Sequence, residues 1–162
     1  MSIDPSIREQ IVLAVLSHLV TEQLSAPAGI PVPVRTRLVS PNADQLPVIT
    51  VYPGRETVSP MHPSKQGHAS RGAVVVRALE LKVEIVVKAS GDGADSEADP
   101  LLTWVTTAMG SMDRVGGNLS NDPPDEDLVE FGYEQGQFSF VRVTQTYVIE
   151  YQTKTGDPTS LT

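Results

Sequence analysis

The residues able to do chemistry are few. His18, His62 and His68 are the only histidines, and no cysteine accompanies them. Without thiols, disulfide frameworks, thiolate zinc sites, iron–sulfur ligation and thiol nucleophiles are all removed from consideration, and a reducing compartment fits. His18 falls beside the apolar stripe of a helical pattern, which reads as a packed or boundary histidine. His62 and His68 lie six residues apart in a polar stretch, with no paired acid at metal-ligand spacing. A small metal-dependent hydrolase built on these two histidines and nearby acids is therefore a remote reading. The run SGDGADSEADP has neither the acid order nor the twelfth-position glutamate of a calcium loop, so it reads as a solvated linker. Asp125-Glu126-Asp127 after Pro123-Pro124 reads as exposed loop charge rather than a catalytic carboxylate pair. Phosphate-binding glycine loops, H-E-x-x-H and G-x-S-x-G are absent. The expectation is a protein that is not an enzyme, with no catalytic, cofactor-binding or metal-binding residues and no cofactor.

Charge is the more informative property. The chain has 162 residues and a net charge of −8. Residues 1–88 hold nine basic and seven acidic side chains, a balance of +2, whereas residues 89–162 hold three and thirteen, a balance of −10. An acidic chain without a basic helix has no electrostatic footprint for sequence-specific nucleic-acid binding. One segment departs from this. Arg55, His62, Lys65, His68, Arg71 and Arg77 stand against Glu56 as the only acid in residues 54–77. Such a stretch either solvates an exposed loop or contacts an acidic surface of a neighbouring subunit.

These residues must be held by a scaffold, and its elements can be read from periodicity. Asp4-Pro5, or Ser6 with Glu9, starts a helix from about Pro5 to Leu24 whose Ile7, Ile11, Val15 and Leu19 make one stripe. A proline-punctuated edge strand is expected near Val34–Val39, followed by a strand over Leu46–Tyr52 that turns at Pro53-Gly54. Residues 73–89 read as the clearest strand, in which Leu79, Leu81, Val83, Ile85 and Val87 alternate with Glu80, Lys82, Glu84, Val86 and Lys88, the pattern of a strand with one dry face. Its seventeen residues exceed ordinary strand length, so Val74–Val76 is expected to project beyond the sheet. Asp99-Pro100 opens a second helix to about Met112, with Leu101, Trp104, Val105, Ala108 and Met112 inward. Leu128–Gln135 and Phe138–Thr153 form a closing hairpin, in which the parity change between Phe138 or Phe140 and Val141 suggests a bulge.

The expected fold is one α+β domain over residues 1–162. It consists of an antiparallel sheet of about four to five strands, with two helices packed on one face, and a long projecting hairpin arm at residues 54–77. Residues 154–162 are expected to fray. At this length a core is large enough to stand without disulfides. The N-terminal MSIDPSIREQ does not read as a secretory signal, and no apolar run reaches the ~20 residues a spanning helix needs. A soluble cytoplasmic product follows, with no membrane partner.

The order of these features resembles bacteriophage tail terminator proteins, the group that includes the minor tail protein U type. The likeness lies in IREQIVLAVLSHL, LPVITVYPGRETV, the polar excursion after it, LELKVEIVVKA, the acidic lead into ADPLLTWVTTAMG, and FGYEQGQFSFVRVTQTYVIEYQT. It covers about residues 5–155 and does not extend to Gly54–Gly72 or Gly116–Asp127. The resemblance implies a virion protein assembled in the host cytoplasm and placed at the tail–neck junction. There it would form a ring, usually of six subunits, that caps the tail tube, ends its polymerisation and presents a surface to the head-side connector. Its partners would be itself, the tail tube protein and the connector or stopper, with DNA passing through the ring without sequence-specific binding. Arg55, His62, Lys65, His68, Arg71 and Arg77 are the expected subunit or tube interface. The alternative is another neck component, a stopper or tail-completion protein.

Overall fold

A computed structural model describes residues 4–35, 42–60, 74–89, 93–135 and 138–162. Helix α1 spans Ile7–Gln23 and α2 spans Ala94–Gly110; six strands run β1 Val34–Arg35, β2 Val48–Pro60, β3 Val74–Lys88, β4 Asp125–Gln135, β5 Ser139–Lys154 and β6 Asp157–Leu161. The strands form one sheet in the order β1-β2-β3-β5-β4, with β6 against the end of β5. It curls into a half-barrel, so the chain is α+β with a single sheet and two helices. Every pairing is antiparallel except that of β1 with β2. The parallel pair is possible because residues 36–47 give the chain length to cross over before β2 begins.

Strict alternation builds the core. Ile49 pairs with Ile85 and Val51 with Val83; Leu79, Leu81, Ile85 and Val87 then pair with Ile149, Tyr147, Val143 and Val141. These side chains are buried on one face, beneath Ile7, Ile11, Val15 and Leu19 of α1 and Leu101, Val105, Ala108 and Met109 of α2. The two helices thus cover one face of the sheet.

Several local expectations are corrected. Ser6, not Asp4, caps α1: its hydroxyl accepts from the Glu9 amide at 3.3 Å, while the Glu9 carboxylate reaches Arg35 at 3.0 Å instead of closing a capping box. The strand over Leu46–Tyr52 does not turn at Pro53-Gly54. It continues to Pro60 through a bulge between Pro53 and Glu56. Pro53 still pairs with Leu81 of β3 where the bulge begins, and among the described residues β1 reaches only Thr50 and Val51, so Pro53 has no second strand neighbour there. Gly54 lies over the neighbouring strand so closely that a Cβ would come within 3.3 Å of the Glu80 carbonyl oxygen.

Val74–Val76 does not project from the sheet, because Lys154, Thr153 and Gln152 pair with it on the β5 side. The described part of the 54–77 arm is therefore sheet, and residues 61–73 lie outside the described residues. Helix α2 begins at Ala94, six residues before Pro100, since Ala98 is buried in the core and holds the first turns in helical register. Beside Phe140 and Val141 β5 has no bulge, its register against β3 being unbroken: Val141 to Thr153 keep one parity, and Phe138 and Phe140 lie on the other face, with Arg142 over the Phe140 ring. The bulge of this hairpin lies instead in β4, between Glu126 and Leu128, so Asp125-Glu126-Asp127 belong to a strand rather than a loop. Finally, residues 157–161 do not fray. They pair with β5 as β6, where Leu161 packs on the core and Asp157, at the start of the strand, accepts from Thr159 and Ser160.

Candidate functional site

Of the six side chains expected to form an interface, Arg55 and Arg77 can be placed; His62, Lys65, His68 and Arg71 lie outside the described residues. The bulge in β2 decides where the two arginines go. It reverses the strand's parity, so that Glu56 and Val58 pair with Leu79 and Arg77 on the helix-covered face. Arg55 is left on the opposite face, three-quarters exposed, with its guanidinium 2.9 Å from Glu80.

Arg77 enters a half-buried polar cluster. Its Nη1 lies 2.9 Å from Glu56 Oε2, its Nε donates to Thr153 Oγ1 at 2.8 Å, and the Tyr151 hydroxyl donates to the second Glu56 oxygen. Tyr151 and Thr153 are buried, and the Tyr151 hydroxyl is held well above its ordinary pKa, first by burial and then by the Glu56 carboxylate. Three strands are clamped by one carboxylate and one guanidinium at the root of the β2–β3 hairpin. The alternation itself carried a signal for this: Arg77 shares the parity of Leu79 and Leu81, which placed it inward.

A second row of polar side chains crosses the opposite face. Tyr52 donates to Glu84 at 3.1 Å, Glu84 is 2.8 Å from Arg142, and Arg142 is 3.0 Å from Glu134, linking β2, β3, β5 and β4. Burial, and then the negative charge of Glu84, push Tyr52 up to about 12. The arrangement ties strands together through charge-assisted bonds and leaves Arg142 shared between two carboxylates.

His18 is a stitch between helices. Its Nε2 donates to the Ala108 carbonyl at 2.8 Å and lies 3.1 Å from Ser111 Oγ, so it satisfies a carbonyl near the end of α2. A shallow cavity of about 380 Å³ beside it is lined by Ser17, Thr21, Arg114 and Gly117 among others. A depression of about 500 Å³ lies between Asp122–Asp125 and Val148 and Glu150. Among the described residues, no group of three or more His, Asp or Glu side chains is placed to hold a metal ion. No described helix is long and apolar enough to cross a membrane.

What the described surface offers is its edges. Strand β2 beyond Val51 and strand β4 along its outer side have no strand partner among the described residues. Strand β4 carries Asp125, Glu126, Asp127, Glu130 and Glu134 and no basic residue, and it exposes Phe131 and Tyr133. These aromatics share the face of the helices but lie beyond their cover. No family model matches the sequence, and no curated protein matches it.

Proposed function

We propose that this protein is a structural, non-enzymatic subunit of a phage tail terminator, assembling as a ring on the end of the tail tube. The observation that carries this reading is the open sheet: a strongly acidic edge at β4, and at the other side an edge strand, β2, leading into a segment with Lys65 and Arg71 and no acid. A subunit with two unlike edges makes head-to-tail contacts, and such contacts close into a ring when the rotation divides the circle. The resemblance of residues 5–155 to tail terminators supplies the identity of the ring. The acidic half of the chain suits a surface past which DNA moves without binding.

In this reading the helices and the buried sheet face supply rigidity, while the edges supply contacts. The Glu56–Arg77–Tyr151 clamp ties β2, β3 and β5 together at the root of the β2–β3 hairpin. Capping a tube requires one surface that matches the tube and another that does not propagate it, which a ring with two different faces provides.

The test is electron microscopy of particles assembled without this protein. Overlong tails support a terminator. Tails of normal length beside unattached, leaking heads would instead identify a stopper or tail-completion protein. Light scattering of the purified chain, alone and with tail tubes, is the companion measurement; a chain that stays monomeric and does not bind tubes would overturn the ring.

A further inference from the structure

We infer that the subunits join by strand addition, the acidic edge of β4 in one copy pairing antiparallel with the distal edge of β2, Tyr52–Pro60, in the next. This rests on the assembly reading above and specifies its seam. Unpaired strand edges present rows of N–H and C=O groups that readily accept another strand. Long described strands with an open edge are β2 beyond Val51 and β4, at opposite sides of the sheet.

Charge selects between the possible pairings. Two β4 edges placed together would line one seam with Asp125, Glu126, Asp127, Glu130 and Glu134 of both copies, and like charges directly opposite destabilise a ladder. The β2 edge has no such conflict: Glu56 is turned inward onto Arg77, and Arg55 is exposed on the face that also carries Glu130. Apolar surface agrees. On the helix-side face, Phe131 is 49% and Tyr133 is 64% exposed, and Val58 of β2 is 52% exposed on that same face. A continuous sheet brings these into one row.

Direction follows from topology. Strands β2, β3, β5 and β4 are successively antiparallel, so β4 runs opposite to β2. Copies related by rotation about an axis along the strands keep their helix-covered faces on one side and meet β4 to β2 antiparallel, the more stable geometry.

The chain has no cysteine, so introduced thiols report without background. Val58→Cys and Tyr133→Cys proteins are prepared separately, mixed under assembling conditions and treated with a bis-maleimide long enough to span two residues along a strand. Linked dimers are expected in the mixture and in neither variant alone. Tyr133→Lys with Glu130→Lys is the second arm. Its melting temperature should stay near that of the wild type, while the concentration for half-assembly rises by about tenfold or more, as expected when a central contact is lost. If Tyr133→Cys links to itself, the head-to-tail seam is wrong. Wild-type oligomers that neither link in the mixture nor weaken with the lysine pair would overturn this seam and leave the ring standing. A wild type that is monomeric with and without tail tubes overturns both.

Discussion

Replacing Glu56 with Gln removes the carboxylate that serves both Arg77 and Tyr151 while leaving those two groups largely buried. The expected loss is about 1–3 kcal/mol in urea unfolding, because a buried donor left with a poor partner costs more than an average hydrogen bond contributes. Arg55→Ala is the control. Its partner Glu80 is met on an exposed surface, so the same measurement should change by less than about 0.5 kcal/mol. The tyrosines give a pH signature. Tyr52 and Tyr151 are both held above their ordinary value of 10.0, Tyr52 at about 12. Below pH 10 both are neutral in folded and unfolded chains, and their contribution is complete. As pH rises from about 10 to 12 the unfolded chain ionises first, so stability is lost across that window. Tyr52→Phe and Tyr151→Phe should each flatten the decline of melting temperature over pH 10–12. A decline that is equally steep in both variants would show that these phenols do not govern it.

Within the elements, Pro100 is the clearest local conflict. It lies inside α2, where it cannot donate to the Ser96 carbonyl, yet Ala98 is buried and keeps the preceding turns helical. Pro100→Ala is expected to stabilise the chain by about 1–3 kcal/mol, read as a shift of the urea midpoint at constant slope. Strand β6 is the second case. Asp157 is lowered to about 2 from 3.8 by hydrogen bonds from Thr159 and then Ser160. The stabilisation from its carboxylate is present above the ordinary value and lost as pH falls towards 2. Hydrogen exchange should therefore show β6 amides protected at neutral pH and released in Asp157→Ala, with the core strands β3 and β5 unaffected. Most elements were legible in the sequence because burial writes a period into them: α1 through Ile7, Ile11, Val15 and Leu19, and β3 through Leu79 to Val87. Elements held by edge pairing left no such trace. The residues of β6, DPTSL, have almost no apolar alternation, and their strand exists because Thr153 and Lys154 of β5 extend past β4 and leave an edge to pair.

For the whole molecule, a seam that sets the acidic edge of β4 against the β2 edge with its exposed Arg55 predicts salt dependence. Exposed charges are screened beyond roughly 10 Å at 0.1 M salt, so assembly followed by light scattering should weaken as salt is raised, while the monomer's melting temperature changes little. Replacing residues 61–72 by a short glycine-rich connection should leave the monomer folded, since the hairpin root is clamped by Arg77 and paired up to Pro60 and Val75. The same variant should assemble poorly. A large loss of monomer stability would show instead that the segment belongs to the core.

The sequence by itself determined the α+β class, the dry face of the sheet, the two helical stripes that cover it, and the concentration of negative charge in the second half. Each of these is a local or compositional property, readable wherever burial or charge repeats along the chain. Tertiary structure alone decided that Arg55 and Arg77 stand on opposite faces, each already paired with an acid, and that Glu56 is turned inward. One extra residue in β2 did this, because a bulge reverses parity and its position depends on which strand is alongside. The same reason put the acids of residues 125–127 on an open edge: an edge is defined by the absence of a neighbouring strand, and no local pattern encodes what lies beside it.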